Sequence, residues 1–339
     1  MAEIKAYSLD ELGQLFKDKG LPQFRAKQVY QWLYQKGACS YDEMTNLPKN
    51  LRATLAEELP LLPAAVIDRQ VSSDGTRKYV IQFTDGTATE MVAIPSQDRL
   101  TVCFSTQVGC AMACSFCATG HEGFTRNLLP GEMVEQVLIA QHDMGRRVTN
   151  LVAMGQGEPF LNYDNVRKAL TILNSEQGLN IAARKITVST CGVFAGIQKF
   201  AQEPEQFTLA VSLHSAIQKT RDELMPKVAN QPLAELHEVL CQYQAISKRR
   251  ITFEYLMISN MNDDERNLDA LVDFCDGLSC HVNLIPLNEI DDSPFKPASH
   301  HRVERFIERL QGSGTEATLR QSRGGDIAGA CGQLKNKTL

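Results

Sequence analysis

Five short apolar runs recur between residues 150 and 286: Asn150-Leu151-Val152-Ala153-Met154, Ile186-Thr187-Val188-Ser189, Thr208-Leu209-Ala210-Val211-Ser212, Phe253-Glu254-Tyr255-Leu256-Met257 and Val282-Asn283-Leu284-Ile285-Pro286. The stretches between them are of helix length, and Met133, Val137, Ala140 and Met144 mark one more helix by their spacing. Repeated strand–helix units demand a parallel sheet, because each crossover returns the chain to the end it left. Open or closed into a barrel, such a sheet offers its ligand site at the carboxyl ends of the strands. The fold class is therefore α/β.

Two smaller units precede this region. Ser8 and Glu11 form the reciprocal capping pattern of a helix start, predicting a helix to about Gly20. Ala26, Val29, Trp32 and Leu33 predict a second helix closed by Gly37, and Leu51, Leu55 and Leu59 a third after Pro48. From Val66 to Pro95 the period changes to two: Tyr79, Ile81 and Phe83 alternate with polar neighbours, and Asp74-Gly75 and Asp85-Gly86 signal hairpin turns. Three antiparallel strands follow, and the third places the acid Glu90 on the same face as Val92 and Ile94. The expected division of the 339 residues is a helical accessory domain over 1–62, an antiparallel β extension over 63–98 and the strand–helix domain over 99–339.

No apolar run approaches the ~18 residues of a membrane span, and the start MAEIKAYSLDEL lacks a signal-peptide core. A cytoplasmic protein is expected. Thirty-five basic against forty acidic residues give a net charge of −5, so nucleic-acid contact has to come from local patches. Arg320, Arg323, Lys335 and Lys337 form one such patch and Lys248, Arg249 and Arg250 another, each equally readable as solvated surface. Residues 1–50 carry seven basic and six acidic side chains and exert little net attraction on RNA.

The chain has ten cysteines, too many to be left unexplained in a reducing compartment, where clustered thiols serve metals or catalysis. Cys110, Cys114 and Cys117 place three thiols within eight residues on a loop after a predicted strand. Three thiolates hold three corners of an iron–sulfur cube and leave the fourth iron open. The alternative is structural zinc, for which His121 or Cys103 could be the fourth donor. Cys39, Cys191, Cys241, Cys275 and Cys280 receive no role beyond that of small apolar residues.

The C-x3-C-x2-C spacing, with Phe116 before the last thiol, resembles that of the radical S-adenosylmethionine enzymes. The flanks narrow the resemblance. Cys103-Phe104-Ser105-Thr106-Gln107-Val108-Gly109, Gly123-Phe124-Thr125-Arg126-Asn127-Leu128, Met154-Gly155-Gln156-Gly157-Glu158-Pro159, Asp326-Ile327-Ala328-Gly329-Ala330-Cys331-Gly332-Gln333-Leu334 and the N-terminal Phe24 to Tyr34 are similar to the RlmN-type adenine C2 methyltransferases of ribosomal and transfer RNA. Gln156 departs from the methionine expected in many members. The likeness covers nearly the whole chain and implies a partial (β/α)6 barrel with the helical domain and the β extension appended.

The resemblance also implies roles. Cys110, Cys114 and Cys117 would hold one 4Fe-4S cluster, and Gly157, Glu158, Ser189, Ser212, Leu213, His214 and Asn288 the S-adenosylmethionine that serves as methyl donor and radical source. Direct transfer to electrophilic C2 is not feasible. In the implied route the Cys331 thiolate is methylated by displacement and the methyl is converted to a carbon radical. That radical adds to C2, Glu90 removes the C2 proton, and Cys103 attacks the Cys331 sulfur, leaving a disulfide to be reduced. An inward, apolar setting would raise Glu90 toward neutrality. Glycines 324, 325, 329 and 332 around Cys331 suit a mobile active-site loop. Expected partners are ribosomal RNA before or early in assembly, transfer RNA and an electron donor such as flavodoxin, with the chain acting as a monomer. The sister Cfr-type enzyme, which methylates C8 of the same ribosomal adenine, is the nearest rival, and a zinc-stabilised, non-catalytic RNA-binding module is the rival of a different class.

Overall fold

The computed structural model describes residues 3–229, 231–290 and 293–335. Three helices open the chain: α1 (Leu9–Asp18), α2 (Gln23–Tyr34) and α3 (Lys49–Glu58). The expected capping box forms, with Glu11 N–H donating to Ser8 Oγ at 3.3 Å and Ser8 N–H to Glu11 Oε2 at 2.8 Å. Val29, Tyr30, Leu33 and Tyr34 bury the inner face of α2. Each contributes roughly 1.5–3 kcal/mol against exposure.

The N-terminal segment docks on the helix α5 described below through polar groups. Lys5 pairs with Glu135, and Tyr34 Oη donates to the Lys5 carbonyl at 3.0 Å. Burial pushes the neighbouring Glu3 up to about 7, against the pull of Lys5.

One sheet of ten strands runs through the rest. Its first three members are the antiparallel β1 (Ala65–Val71), β2 (Arg77–Gln82) and β3 (Ala88–Pro95). Strand β4 (Leu100–Cys103) pairs antiparallel with β3, so the β extension continues the main sheet rather than standing apart. A small second sheet consists of β5 (Gln107–Gly109) and β6 (Phe124–Asn127), separated by the short helix α4 (Ala118–Glu122).

Beyond these, helix α5 (Pro130–Met144) leads to β7 (Asn150–Ala153), α6 (Tyr163–Asn174) to β8 (Ile186–Thr190), and α7 (Phe194–Ala201) to β9 (Thr208–Ser212). Helices α8 (Gln218–Leu224) and α9 (Leu233–Ser247) precede β10 (Ile251–Met257), and α10 (Glu265–Cys275) precedes β11 (Cys280–Pro286). The strands β4, β7, β8, β9, β10 and β11 are parallel neighbours in that order, the six expected for a partial barrel. After α11 (His300–Gly312), a seventh parallel strand, β12 (Glu316–Leu319), pairs with β11. Its four residues carry no long apolar run, so the sequence pattern does not announce it. Among the described residues no helix is long and apolar enough to cross a membrane.

Candidate active site

The cysteine loop is the turn of the β5–β6 hairpin. Cys110 N–H donates to the Gly123 carbonyl at 2.7 Å, closing the loop at its base. Gly109 stands there at φ +71°, and a Cβ on it would lie 2.0 Å from that carbonyl oxygen. Within the loop Cys117 N–H reaches the Cys114 carbonyl at 3.1 Å, and Ser115 N–H ties the loop to Leu224 at 3.0 Å.

All three thiols face one cavity of about 970 Å³ at the carboxyl ends of the parallel strands. Burial pushes Cys110 up to about 11 and raises Cys114 and Cys117 as well, so in the metal-free chain a bound cation has to displace their protons. Among the described residues no three His, Cys, Asp or Glu side chains converge on a point where one ion could bind. A cube spreads its ligands over separate irons and has no need of such a point, whereas zinc does. His121 is exposed, with Nε2 3.2 Å from the Ser115 carbonyl, and Cys103 lines a different chamber. The donor set, three free thiols on one wall of one cavity, fits a three-cysteine cluster.

Beside Cys110, β7 runs into the Gly155–Glu158 turn. Gly157 sits at φ +102°, with Gln107 Cβ 2.6 Å from where its own Cβ would be. Glu158 is buried, and its carboxylate accepts from Phe160 N–H at 3.0 Å and Cys191 N–H at 2.8 Å. Burial raises its pKa while those donors hold it down. Ser189 and Ser212 line the cavity from the ends of β8 and β9, and Asn288 from just beyond β11.

His214 also lines it, at φ +55°. Burial, and then the charge of Arg221, push it down to about 3. Leu256 N–H donates to its Nδ1 at 3.1 Å, so the neutral ring carries its proton on Nε2. Leu213 is not among the residues that line the cavity. Its side chain packs into the barrel core, and its backbone is committed to Glu254 and Arg221 at 3.0 and 2.6 Å.

A second chamber of about 960 Å³ adjoins the first. Cys331, Asn288, Arg320 and Cys117 line both, while Cys103 lines the second alone. Cys103 and Cys331 are free thiols, as are the other eight cysteines, so the disulfide expected between them is not formed in this structure. Burial, followed by the neighbouring Cys331, pushes Cys103 up to about 12 despite Arg320. A protonated thiol is a poor nucleophile, so Cys103 attacks only once its proton is removed.

The segment carrying Cys331 is held at many points. Asn288 Nδ2 donates to the Cys331 carbonyl at 3.2 Å, Thr119 Oγ1 to the Leu334 carbonyl at 2.7 Å, and Ser72 Oγ to Asp326 Oδ1 at 2.6 Å. The expected glycine-rich loop is thus docked onto the barrel rather than loose. Glu90 reaches the same segment, its Oε2 accepting from Lys335 N–H at 2.7 Å while Lys78 Nζ stands 3.2 Å from Oε1. Burial raises the Glu90 carboxyl, and Lys78 opposes that rise. Gln156 is explained here: its Oε1 accepts from Thr89 Oγ1 at 2.7 Å and Glu90 N–H at 3.2 Å, supporting the strand beneath the acid rather than facing the cavity.

The comparisons with known proteins bear directly on this geometry. Residues 3–60 match the family described as ribosomal RNA large subunit methyltransferase N-terminal domain, and residues 104–272 match the radical SAM superfamily. A relative from Flavobacterium psychrophilum, named "Probable dual-specificity RNA methyltransferase RlmN", is 44% identical over 99% of this chain and 98% of its own. The chain belongs to the RlmN family of radical SAM RNA methyltransferases. A Clostridium novyi protein of the same name is 40% identical, with 100% of this chain and 99% of its own length covered. The crystal structure of a radical SAM methyltransferase from Sphaerobacter thermophilus superposes with a TM-score of 0.95 at 45% identity, covering 99% of both chains. As a radical SAM enzyme, the protein uses a 4Fe-4S cluster and S-adenosylmethionine.

Membership recasts residues that the sequence pattern did not single out. Arg221 is fully buried and donates to the carbonyls of Ser212, Leu213 and Cys191 at 2.6–2.8 Å, bracing the ends of β8 and β9. Glu254 lines the cavity in an otherwise apolar strand, a signal that could have found it, and lies 3.7 Å from Arg320. The basic clusters divide: Lys248, Arg250, Arg323 and Lys335 stay exposed, while Arg249 and Arg320 are used in the RlmN fold. Arg249 is buried and caps the Phe207, Phe200 and Glu203 carbonyls, and Arg250 pairs with Glu316. Arg320 belongs to the two chambers, and Lys337 lies outside the described residues.

Proposed function

We propose that this enzyme methylates C2 of a specific adenine in the peptidyl-transferase region of large-subunit ribosomal RNA, and of the adenine next to the anticodon in certain transfer RNAs, with Cys331 as methyl carrier. The observation that carries the reading is that Cys331 lines both chambers. One chamber holds the three cluster thiols and the Glu158 turn, and the other holds Cys103. The relatives bear RlmN names, which favours C2 over the Cfr-type C8 reaction.

The cluster, when bound by Cys110, Cys114 and Cys117, supplies the one-electron chemistry that turns a methyl group into a carbon radical. The chain's own residues do the rest. Glu158, Ser189, Ser212, His214 and Asn288 orient S-adenosylmethionine, with Glu158 favouring its ammonium group. Gly157 allows the turn that presents them, and Leu213 contributes through its position in the core. The Cys331 thiolate takes the methyl from the sulfonium, releasing S-adenosylhomocysteine, then carries it to the adenine. Glu90 accepts the C2 proton. Cys103 attacks the Cys331 sulfur, the carbon–sulfur bond breaks with its electron pair going to the carbon on the RNA, which takes up a proton to become the methyl group, and a two-electron reductant restores both thiols from the resulting disulfide.

The target base has to be unpaired or flipped to reach the second chamber, so RNA is read by shape and backbone contact. The three N-terminal helices are the surface for that contact. The enzyme acts as a cytoplasmic monomer, with an electron donor such as flavodoxin.

Anaerobic reconstitution with iron and sulfide, followed by nucleoside analysis of incubated RNA, tests the reading. It predicts 2-methyladenosine from the native enzyme and a covalent RNA adduct from Cys103→Ala. 8-Methyladenosine, or no modified adenosine from cluster-loaded enzyme, would overturn it.

A further inference from the structure

Glu90 reaches its position from β3, one strand outside the barrel, and its surroundings are unusually complete for a base. The register of β2 and β3 pairs Val80 with Glu90 and Lys78 with Val92, which puts Lys78 diagonally beside Glu90 on one face. Strand β4 continues the row, with Cys103 opposite Val92. Lys78 is 5% exposed and Glu90 2%, so both charges are out of water. The Lys78 ammonium lies 3.2 Å from Glu90 Oε1 and 3.5 Å from the Ala328 carbonyl oxygen, three residues before Cys331. The Lys335 N–H, four residues after Cys331, occupies Glu90 Oε2 at 2.7 Å.

We propose that Lys78 is a positioning residue for the base: one buried ammonium, set between Glu90 Oε1 and the Ala328 carbonyl, ties the proton acceptor to the segment that carries Cys331. The inference rests on Glu90 being the base proposed above.

Neither Lys78 nor Glu90 lines either chamber; Lys78 bears on the reaction through Glu90 and the Ala328 carbonyl, the two groups its ammonium meets. The charged groups bearing on Glu90 are Lys78, which favours the ionised carboxylate, and Glu122 at the end of α4, which opposes it. Removing one partner of a buried pair leaves the other charge uncompensated. An uncompensated carboxylate takes up a proton, and a protonated Glu90 cannot accept another from C2. The rest of the Cys331 segment stays anchored without Lys78, through Asp326, Leu334 and the Asn288 contact.

The test uses full-length, cluster-loaded enzyme carrying a methyl on Cys331 and follows one turnover on RNA across a pH series. The variants are Lys78→Met, Lys78→Arg, Glu90→Gln and the double Lys78→Met/Glu90→Gln, in which no unpaired buried charge remains to unfold the protein. In Lys78→Met the acid limb of product release is expected to move to higher pH by about one unit or more. The RNA–protein adduct is expected to accumulate at neutral pH, while Cys331 methylation is unchanged. Lys78→Arg restores the native profile, and the double variant behaves as Glu90→Gln alone. A Lys78→Met profile that superimposes on the native one, while Glu90→Gln accumulates adduct, overturns the role of Lys78. A Glu90→Gln enzyme that releases product at the native rate overturns the assignment of the base, and this inference with it.

Discussion

A few backbone positions decide whether the candidate site can exist. Gly157 combines a left-handed φ of +102° with a Cβ position 2.6 Å from Gln107 Cβ, so an added methyl meets both torsional strain and a clash. Gly157→Ala is expected to cost about 1–3 kcal/mol in denaturant unfolding and to weaken S-adenosylmethionine binding by tenfold or more, because Glu158 moves with the turn. Unchanged affinity in that variant would remove Glu158 from the ligand's surroundings. Cysteine spacing made the candidate cluster ligands legible, since three thiols in eight residues need no tertiary context to be noticed. Leu213 was less legible: a strand-end position does not say which way a side chain turns, and this one turns into the core.

Among the elements, the helices declared themselves through local chemistry. The Ser8–Glu11 box and the glycine after α2 are interactions over a few residues, and such signals survive without knowledge of the fold. Strand β12 did not, because a four-residue edge strand owes its existence to β11. The docking of the N-terminal segment on α5 was also invisible, as Lys5 and Glu135 are 130 residues apart. That junction carries a pH dependence. Glu3 has an ordinary value of 4.5 and is raised to about 7 when folded, so above 4.5 the unfolded chain ionises first and the fold loses stability. The loss grows until the folded carboxyl also ionises near 7, then stays constant. Glu3→Gln should therefore leave the melting temperature nearly unchanged at acid pH and raise it at pH ~8, the full linkage being on the order of 3 kcal/mol. Equal shifts at both pH values would show that Glu3 is not desolvated in the native protein.

At the scale of the whole molecule, the carboxyl ends of seven parallel strands meet a C-terminal segment that returns to the β extension. Contacts such as Ser72 with Asp326 and Lys335 with Glu90 span some 250 residues, and no motif encodes them. The sequence could therefore name Glu90, Cys103 and Cys331 by resemblance, but not the network of Lys78 and Gln156 that seats Glu90, nor the wall on which Cys331 stands. Two of the basic side chains that the sequence offered for RNA contact are used inside instead, Arg249 as a buried carbonyl cap and Arg320 in the wall of the two chambers. In the proposed function these features serve a methyl that travels through Cys331. The most direct measurement is a pulse–chase with methyl-deuterated S-adenosylmethionine under anaerobic turnover, read by mass spectrometry of the Cys331 peptide and of the RNA. The account predicts that label appears first on Cys331, then in 2-methyladenosine as the peptide loses it, with neither signal in Cys331→Ala. Labelled RNA formed by Cys331→Ala, or label reaching RNA while Cys331 stays unmodified throughout, would contradict it.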